Sequence, residues 1–175
     1  MRSLLPVLLR IPLYQAFRAV AFPRILPVNY TFSLTTRCNS RCLTCSIWKK
    51  RTDEFTLDEW EKIFFSLGKA PYWVTISGGE PFLYRDIVEL CRALARHCQP
   101  GIVNIPTNSL VGGTAAKVEQ IAAALAPGQL IINLSLDGIG EEHDRIRGIP
   151  GNFERFQRNL AELLEVRART PNLSI

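Results

Sequence analysis

The sequence predicts an α/β fold: a partial parallel (β/α) barrel of about five strands, preceded by a basic amphipathic helical segment. Two observations carry this. Along residues 28–175, strand-like runs alternate with helical runs, the order that yields right-handed βαβ units and a parallel sheet. Within the strands, polar and apolar residues also alternate, whereas parallel strands covered on both faces read as continuous apolar runs. Thr31, Ser33 and Thr35 oppose Tyr30, Phe32 and Leu34; Thr75 and Ser77 oppose Val74 and Ile76; Asn104 and Asn108 oppose Val103 and Ile105; Asn133, Ser135 and Asp137 oppose Ile132, Leu134 and Leu136. With helices on the apolar rows, the polar rows line the other face, and their hydroxyls and amides need partners. A sheet curved around a bound polar molecule meets that need.

In chain order, the strands are expected at 29–35, 72–77, 101–106, 129–136 and 172–175. The first helix opens at Thr56, where Thr56-x-x-Glu59 reads as a capping box ahead of Trp60, Ile63, Phe64 and Leu67. Further helices are expected at about 84–98, 114–126 and 152–169, the last with Phe153, Phe156, Leu160, Leu163 and Leu164 on one face. The chain has 175 residues, 47% of them hydrophobic and 21% charged, which suits one domain with a real core.

Residues 1–27 form a distinct segment before the core of 28–175. They are apolar, basic and free of acids. Arg10, Arg18, Pro6 and Pro12 interrupt the run, so it falls short of the roughly 20 apolar residues of a membrane span. Leu5, Leu9, Leu13, Phe17 and Val20 recur at helical spacing, with Arg2, Arg10 and Arg18 elsewhere on the surface. Two readings follow: a helix packed on the domain, or an interfacial helix in peripheral contact with an anionic membrane. Charge is unevenly shared. Residues 1–52 hold nine Lys or Arg and no carboxylate, while the remainder carries 12 basic against 16 acidic residues. No basic run with interleaved aromatics and no DNA-reading motif occurs, which argues against nucleic acid.

The stretch "TTRCNSRCLTC" sets Cys38, Cys42 and Cys45 at spacing C-x3-C-x2-C, directly after the first strand. In parallel barrels the strand C-termini are where βα loops build sites. Three crowded thiolates repel unless a cation neutralises them, so the pattern reads as a metal centre in a reducing compartment, the cytoplasm. A structural zinc would demand a fourth protein ligand; a four-iron cluster with three thiolates leaves one iron open. His97 reads as a helix-face residue, and Cys91 and Cys98 as buried small apolar residues rather than ligands.

In these residues the chain resembles the radical S-adenosylmethionine (radical SAM) enzymes of C-x3-C-x2-C type, closest in flavour to the molybdenum-cofactor and peptide-modifying branch. Three further stretches support the resemblance: "SGGEP" after the second strand, "PTNSL" after the third, and "NLSLDG" with "HDRIRG" after the fourth. The resemblance implies a [4Fe–4S] cluster on Cys38, Cys42 and Cys45, its unique iron chelated by S-adenosylmethionine. It implies cofactor contacts from Gly78, Gly79, Glu80, Pro81, Asn108, Ser135 and Arg147. Two departures stand out: Ser109 where the family has glycine, and Thr44 where it often has a bulky residue near the adenine, a place for Trp48 or another group to fill instead. The implied chemistry is reductive cleavage of the cofactor to a 5′-deoxyadenosyl radical, with hydrogen abstraction from a substrate the sequence does not name. An external one-electron reductant of flavodoxin or ferredoxin type is implied as partner. The family core usually has six βα units and this chain stops inside a fifth strand, so the expectation is a truncated reading frame, a split protein whose barrel a second chain completes, or a degenerate copy. The competing expectations are a non-catalytic or partner-dependent iron–sulfur or SAM-binding fragment and, behind it, a structural zinc protein.

Overall fold

The computed structural model describes residues 4–175, with Pro6 described by its backbone alone; Arg2 lies outside the described residues. Five strands, β1 (Asn29–Ser33), β2 (Trp73–Ser77), β3 (Ile102–Thr107), β4 (Gln129–Leu134) and β5 (Leu173–Ser174), pair in parallel in simple chain order. The sheet of the described residues is open. Register is set by the alternation seen in the sequence: Tyr30 faces Val74 and Phe32 faces Ile76 across β1 and β2, while Val103 faces Leu130 and Ile105 faces Ile132 across β3 and β4.

That apolar row is covered by a layer of helices: α3 (Leu57–Leu67), α4 (Ile87–His97), α5 (Thr114–Leu125) and α7 (Asn152–Arg169). Val74, Ile76, Ile105, Leu130 and Ile132 are fully buried against it. The opposite row, including Thr31, Ser33, Thr75, Ser77, Asn104 and Asn133, stays exposed or half-buried. Some of its polar groups satisfy one another: Asn133 Nδ2 donates to Asn104 Oδ1 at 2.6 Å. The expected capping box opens α3, with Glu59 N donating to Thr56 Oγ1 and Thr56 N to the Glu59 carboxylate. Behind it, Phe32, Trp60 and Phe64 form an aromatic wedge with ring centroids 5.4–5.9 Å apart.

Four differences from the expected elements have local causes. β1 stops at Ser33 because Thr35 turns its hydroxyl to Arg37 N and to Glu54. α4 starts at Ile87, since Pro81–Leu83 forms a separate 3₁₀ turn. A further helix, α6 (Glu141–Arg147), lies where a loop was expected. Finally, the N-terminal helix is two helices, α1 (Leu5–Leu8) and α2 (Ile11–Val20), with Pro6 and Pro12 in their first turns, where proline removes no helical hydrogen bond. α2 buries no residue. The segment is held by Arg10 Nη1 donating to Ala70 O at 3.1 Å, and its apolar side chains face outward, Leu9 68% and Val20 70% exposed. The segment thus touches the domain through Arg10 without burying an apolar face on it.

Candidate metal and cofactor site

Four loops at the C-terminal ends of β1 to β4 surround a cavity of about 180 Å³. Nine of the ten residues singled out from the sequence line it: Cys38, Cys42, Cys45, Gly78, Gly79, Glu80, Asn108, Ser135 and Arg147. Pro81 does not; it is buried behind the wall, opening the 3₁₀ turn. Ser40, Thr44, Ile47, Ser77, Pro106 and Thr107 complete the lining. Ser77, Pro106 and Ser135 continue the outward parity of the polar strand rows, a signal the sequence already carried; Ser40, Thr44 and Ile47 come from an irregular loop with no periodic signal.

The two glycines after β2 have a reason different from the one their type suggests. A Cβ on Gly78, at φ +129°, would lie 2.4 Å from Thr35 O, and one on Gly79 would lie 2.1 Å from Arg37 O. The missing side chains make room for the cysteine loop itself. Gly79 N donates to Thr35 O at 2.7 Å and Glu80 N to Arg37 O at 2.9 Å, so the loop after β2 carries the loop after β1.

Glu80 is buried at 1% exposure. Its Oε1 accepts from Phe82 N at 3.1 Å and Thr107 Oγ1 at 2.8 Å, and its Oε2 accepts from Asn108 N at 2.8 Å. Burial pushes this carboxyl up, against the pull of those donors and of Arg147. Of about four lone-pair sites, three are taken by the protein, so Glu80 is first a strut between the loops after β2 and β3. Asn108 is a second strut: Nδ2 approaches Asn39 Oδ1 (2.7 Å), Ser40 Oγ (3.1 Å) and Cys38 Sγ (3.7 Å), and Oδ1 accepts from Leu110 N. Ser109 takes φ +60°, a left-handed conformation costing a side-chain-bearing residue about 1–2 kcal/mol. That accounts for glycine as the family's choice there, and its Oγ is buried without a partner.

Ser135 lies one residue past β4, its N–H donating to Thr107 O at 3.0 Å. Arg147 closes α6. Its Nε sits 2.8 Å from Asp137 Oδ2 as an ion pair, yet the buried Nε–H is not aimed at any acceptor. Its Nη1 lies 3.4 Å from Cys42 Sγ. The helix end also grips the cysteine loop through its backbone: Arg41 N donates to Arg147 O and Leu43 N to Ile146 O, each at 2.9 Å. Beneath, the fully buried His143 accepts from Asp137 N at Nδ1 (3.2 Å) and meets Asn152 Oδ1 at Nε2 (3.2 Å). The Asp137 backbone requires Nδ1 to accept, which places the ring proton on Nε2.

This donor set fits an iron–sulfur cluster with a chelating cofactor. None of the five cysteines is in a disulfide, and the three on the loop range from exposed Cys45 to buried Cys42 around one cavity. N–H groups of Ser40, Asn108 and Arg147 lie toward the sulfurs of Cys38 and Cys42, as thiolate ligands require. The Arg147 guanidinium in the lining suits an anionic group in the cavity. Among the described residues no three His, Cys, Asp or Glu side chains converge on a single ion. A structural zinc draws its thiolates to about 2.3 Å of one centre, whereas a cluster takes each thiolate on a different iron. Trp48 does not line the cavity. Arg41 and Lys49 each hold a cation 5.1 Å from its ring centroid, and its Nε1 donates to Cys45 O at 2.9 Å; Ile47, its neighbour, lines the cavity. Cys91 and Cys98 are buried as expected, their thiols pushed up to about 12 and about 11 by burial.

Comparison with known proteins adds an independent line. Residues 32–173 match the model of the Radical SAM superfamily. PqqA peptide cyclase of Rhizobium meliloti is 34% identical over 143 residues, covering 78% of this chain and 36% of that protein. GTP 3',8-cyclase of Rhodopseudomonas palustris is 31% identical, covering 70% and 37%, and Fe-coproporphyrin III synthase of Methanosarcina barkeri 32% identical, covering 74% and 32%. The chain thus spans about a third of the length of the curated relatives it matches. Among solved structures, Streptococcus suis SuiB bound to S-adenosylmethionine superposes with a TM-score of 0.62 at 16% identity, over 91% of this chain and 42% of that one. Native anSMEcpe with bound AdoMet and Cp18Cys peptide gives 0.59 at 19% identity, over 86% and 42%. At such identities these two likenesses establish the fold.

Proposed function

The chain belongs to the radical SAM superfamily, and from that premise we propose that it is the cofactor-binding core of a radical SAM enzyme. The observation that carries the proposal is the convergence of Cys38, Cys42, Cys45, Glu80, Ser135 and Arg147, from four separate loops, on one cavity. In this reading Cys38, Cys42 and Cys45 hold a [4Fe–4S] cluster, with S-adenosylmethionine on its open iron. Bound together, the two supply one-electron reductive cleavage of the sulfonium and a 5′-deoxyadenosyl radical for hydrogen abstraction.

The chain's own residues do the rest. Gly78 and Gly79 let the loops after β1 and β2 lie against one another, so that the thiols and the residues after β2 line one cavity. Glu80 and Asn108 hold that space rigid, and the remaining lone pair of Glu80 is available to the methionine ammonium. Arg147, kept on station by Asp137, offers its guanidinium charge to the methionine carboxylate, and Ser135 offers a hydroxyl on the adjoining wall. Ile47 adds an apolar side chain to the lining. The exposed polar face of the sheet supports a substrate bound there, with further strands from a second chain or a longer one completing the enclosure. The substrate class is open between peptides and small molecules.

The test is anaerobic reconstitution with iron and sulfide, followed by reduction and assay of 5′-deoxyadenosine from S-adenosylmethionine. Formation is expected in the parent chain and is expected to vanish in Cys42→Ala; an undiminished rate in that variant overturns the assignment. A cluster that forms but never cleaves the cofactor would favour the binding-fragment reading instead.

The compartment is proposed to be the reducing cytoplasm, on the chemistry of the three thiols. No helix of the described residues is long and apolar enough to cross a membrane. The outward apolar face of α1 and α2, with Arg10, Arg18 and Arg24 and no acid, supports peripheral contact with an anionic bilayer. Sedimentation with phosphatidylserine vesicles at low salt is expected to carry the chain down, and a chain lacking residues 1–27 is expected to stay behind. Equal behaviour of the two ends this part of the proposal.

A further inference from the structure

Resting on the proposed function, we infer that the surface around Trp48 is the docking site of the electron donor, and that the donor is an acidic one-electron carrier protein. The cysteine loop continues into an uninterrupted exposed stretch, 41–53, in which only Cys42, Ile47 and Trp48 are shielded. Within it Arg41, Lys49, Lys50 and Arg51 are all exposed, and they are organised rather than scattered. Arg41 and Lys49 stack on the Trp48 indole, and Arg51 Nη1 donates to Trp48 O at 3.2 Å and Lys50 O at 3.0 Å. The result is a collar in which Arg41 and Lys49 lie on the Trp48 ring and Arg51 on its backbone carbonyl, with Lys50 between them in the chain. Leu43, 66% exposed, adds an apolar side chain on the same loop, of the kind found at interface centres.

The collar is coupled to the proposed cluster by a short route. Trp48 Nε1 donates to the carbonyl of Cys45, and Cys45 is the most exposed of the three thiol residues. The first carboxylates to follow are Asp53, which is exposed, and Glu54; Glu54 is taken by the Arg37 fork, at 2.7 and 2.9 Å. A concentrated positive field beside a redox centre steers an oppositely charged partner into productive encounters and raises association rates by about 10- to 1,000-fold. The step is a simple outer-sphere exchange: one electron leaves the reduced flavin or iron–sulfur centre of the carrier and enters the cluster. The carrier is oxidised by one electron, the cluster is reduced by one, and no bond or proton transfer occurs at the collar.

The experiment uses a purified acidic flavodoxin as probe. Its binding to the chain is read by interferometry at low and high salt, with and without the cluster loaded, and cluster bleaching by flavodoxin hydroquinone is followed by stopped flow. The parent chain is expected to bind in both states, and salt is expected to weaken binding steeply. Lys49→Glu/Lys50→Glu is expected to lower the low-salt association rate and the bleaching rate by about tenfold or more, while Lys49→Arg/Lys50→Arg behaves as the parent. Bleaching by dithionite, which needs no docking, is expected to be equal in all three. Parental rates in the charge-reversed variant overturn the proposal, as does salt-independent binding. So does loss of phosphatidylserine-vesicle binding in that variant with flavodoxin rates unchanged, which would assign the collar to a membrane. Failure to load a cluster would count against the proposed function alone, since flavodoxin binding is read on the metal-free chain too.

Discussion

Glu80 shows how a residue read as a cofactor contact also serves the frame. Three protein donors converge on its buried carboxylate, two of them backbone N–H groups with no other acceptor in the loop. Glutamine in its place would keep one acceptor oxygen and set an amide against those donors. Glu80→Gln is expected to destabilise the chain by about 1–3 kcal/mol, the cost of leaving a buried polar group unsatisfied, as measured by urea denaturation. The pH dependence follows from burial, which raises the folded-state pKa above the unfolded value of about 4.3. Its contribution is therefore full below that value and declines as pH rises through the folded one; the variant should lose this decline. The identity of the site residues was legible because each sits at a fixed offset after a strand. Their mutual bonds were not, because Glu80 and Asn108 are 28 positions apart in sequence and meet only through β2–β3 pairing. The place of Trp48 was illegible for the same reason: its ring lies against Arg41 and Lys49, and composition alone does not say so.

At the scale of elements, helix α6 was missed although its ends carried a signal. Glu141 and Glu142 open it, Arg145 and Arg147 close it, and Gly148 follows at φ +67°, the charge order that suits the helix dipole with a glycine stop. The segment is only seven residues long and lacks an apolar stripe, so periodicity was silent. α6 in turn caps α7, whose own N-cap is Gly151 with no side-chain oxygen. Asp144 fills that role from the preceding helix, its carboxylate accepting from Gly151 N at 2.6 Å and Phe153 N at 2.8 Å. The Phe153 N–H is the main reason the Asp144 carboxyl is held below the ordinary aspartate range. Asp144→Ala is expected to lower the melting temperature at neutral pH. A depressed folded pKa gives stability present above the unfolded value and lost as pH falls through the folded one, so the gap between variant and parent should close in acid. A gap of constant size across that range would show that the carboxylate charge plays no part. The strands, by contrast, were legible to within two residues at each end, because polar and apolar positions alternate on a sheet covered on one face only.

For the molecule as a whole, the sequence conveyed a parallel sheet with helices on one side and a polar face on the other, and the structure has that form. It left the N-terminal segment open between two readings, and a helix with no buried residue now disfavours packing on the domain. The substrate stays beyond reach because the chain spans about a third of the relatives it matches, and strand-end motifs speak of cofactor rather than substrate. The central claim is that three cysteines hold a cluster whose remaining iron is open to S-adenosylmethionine. Electron paramagnetic resonance of the reconstituted, reduced chain tests it most directly, recorded before and after S-adenosylmethionine is added. The account predicts a [4Fe–4S]⁺ signal whose g-values shift on addition. A signal indifferent to S-adenosylmethionine, or a chain that takes up zinc without sulfide, would contradict it.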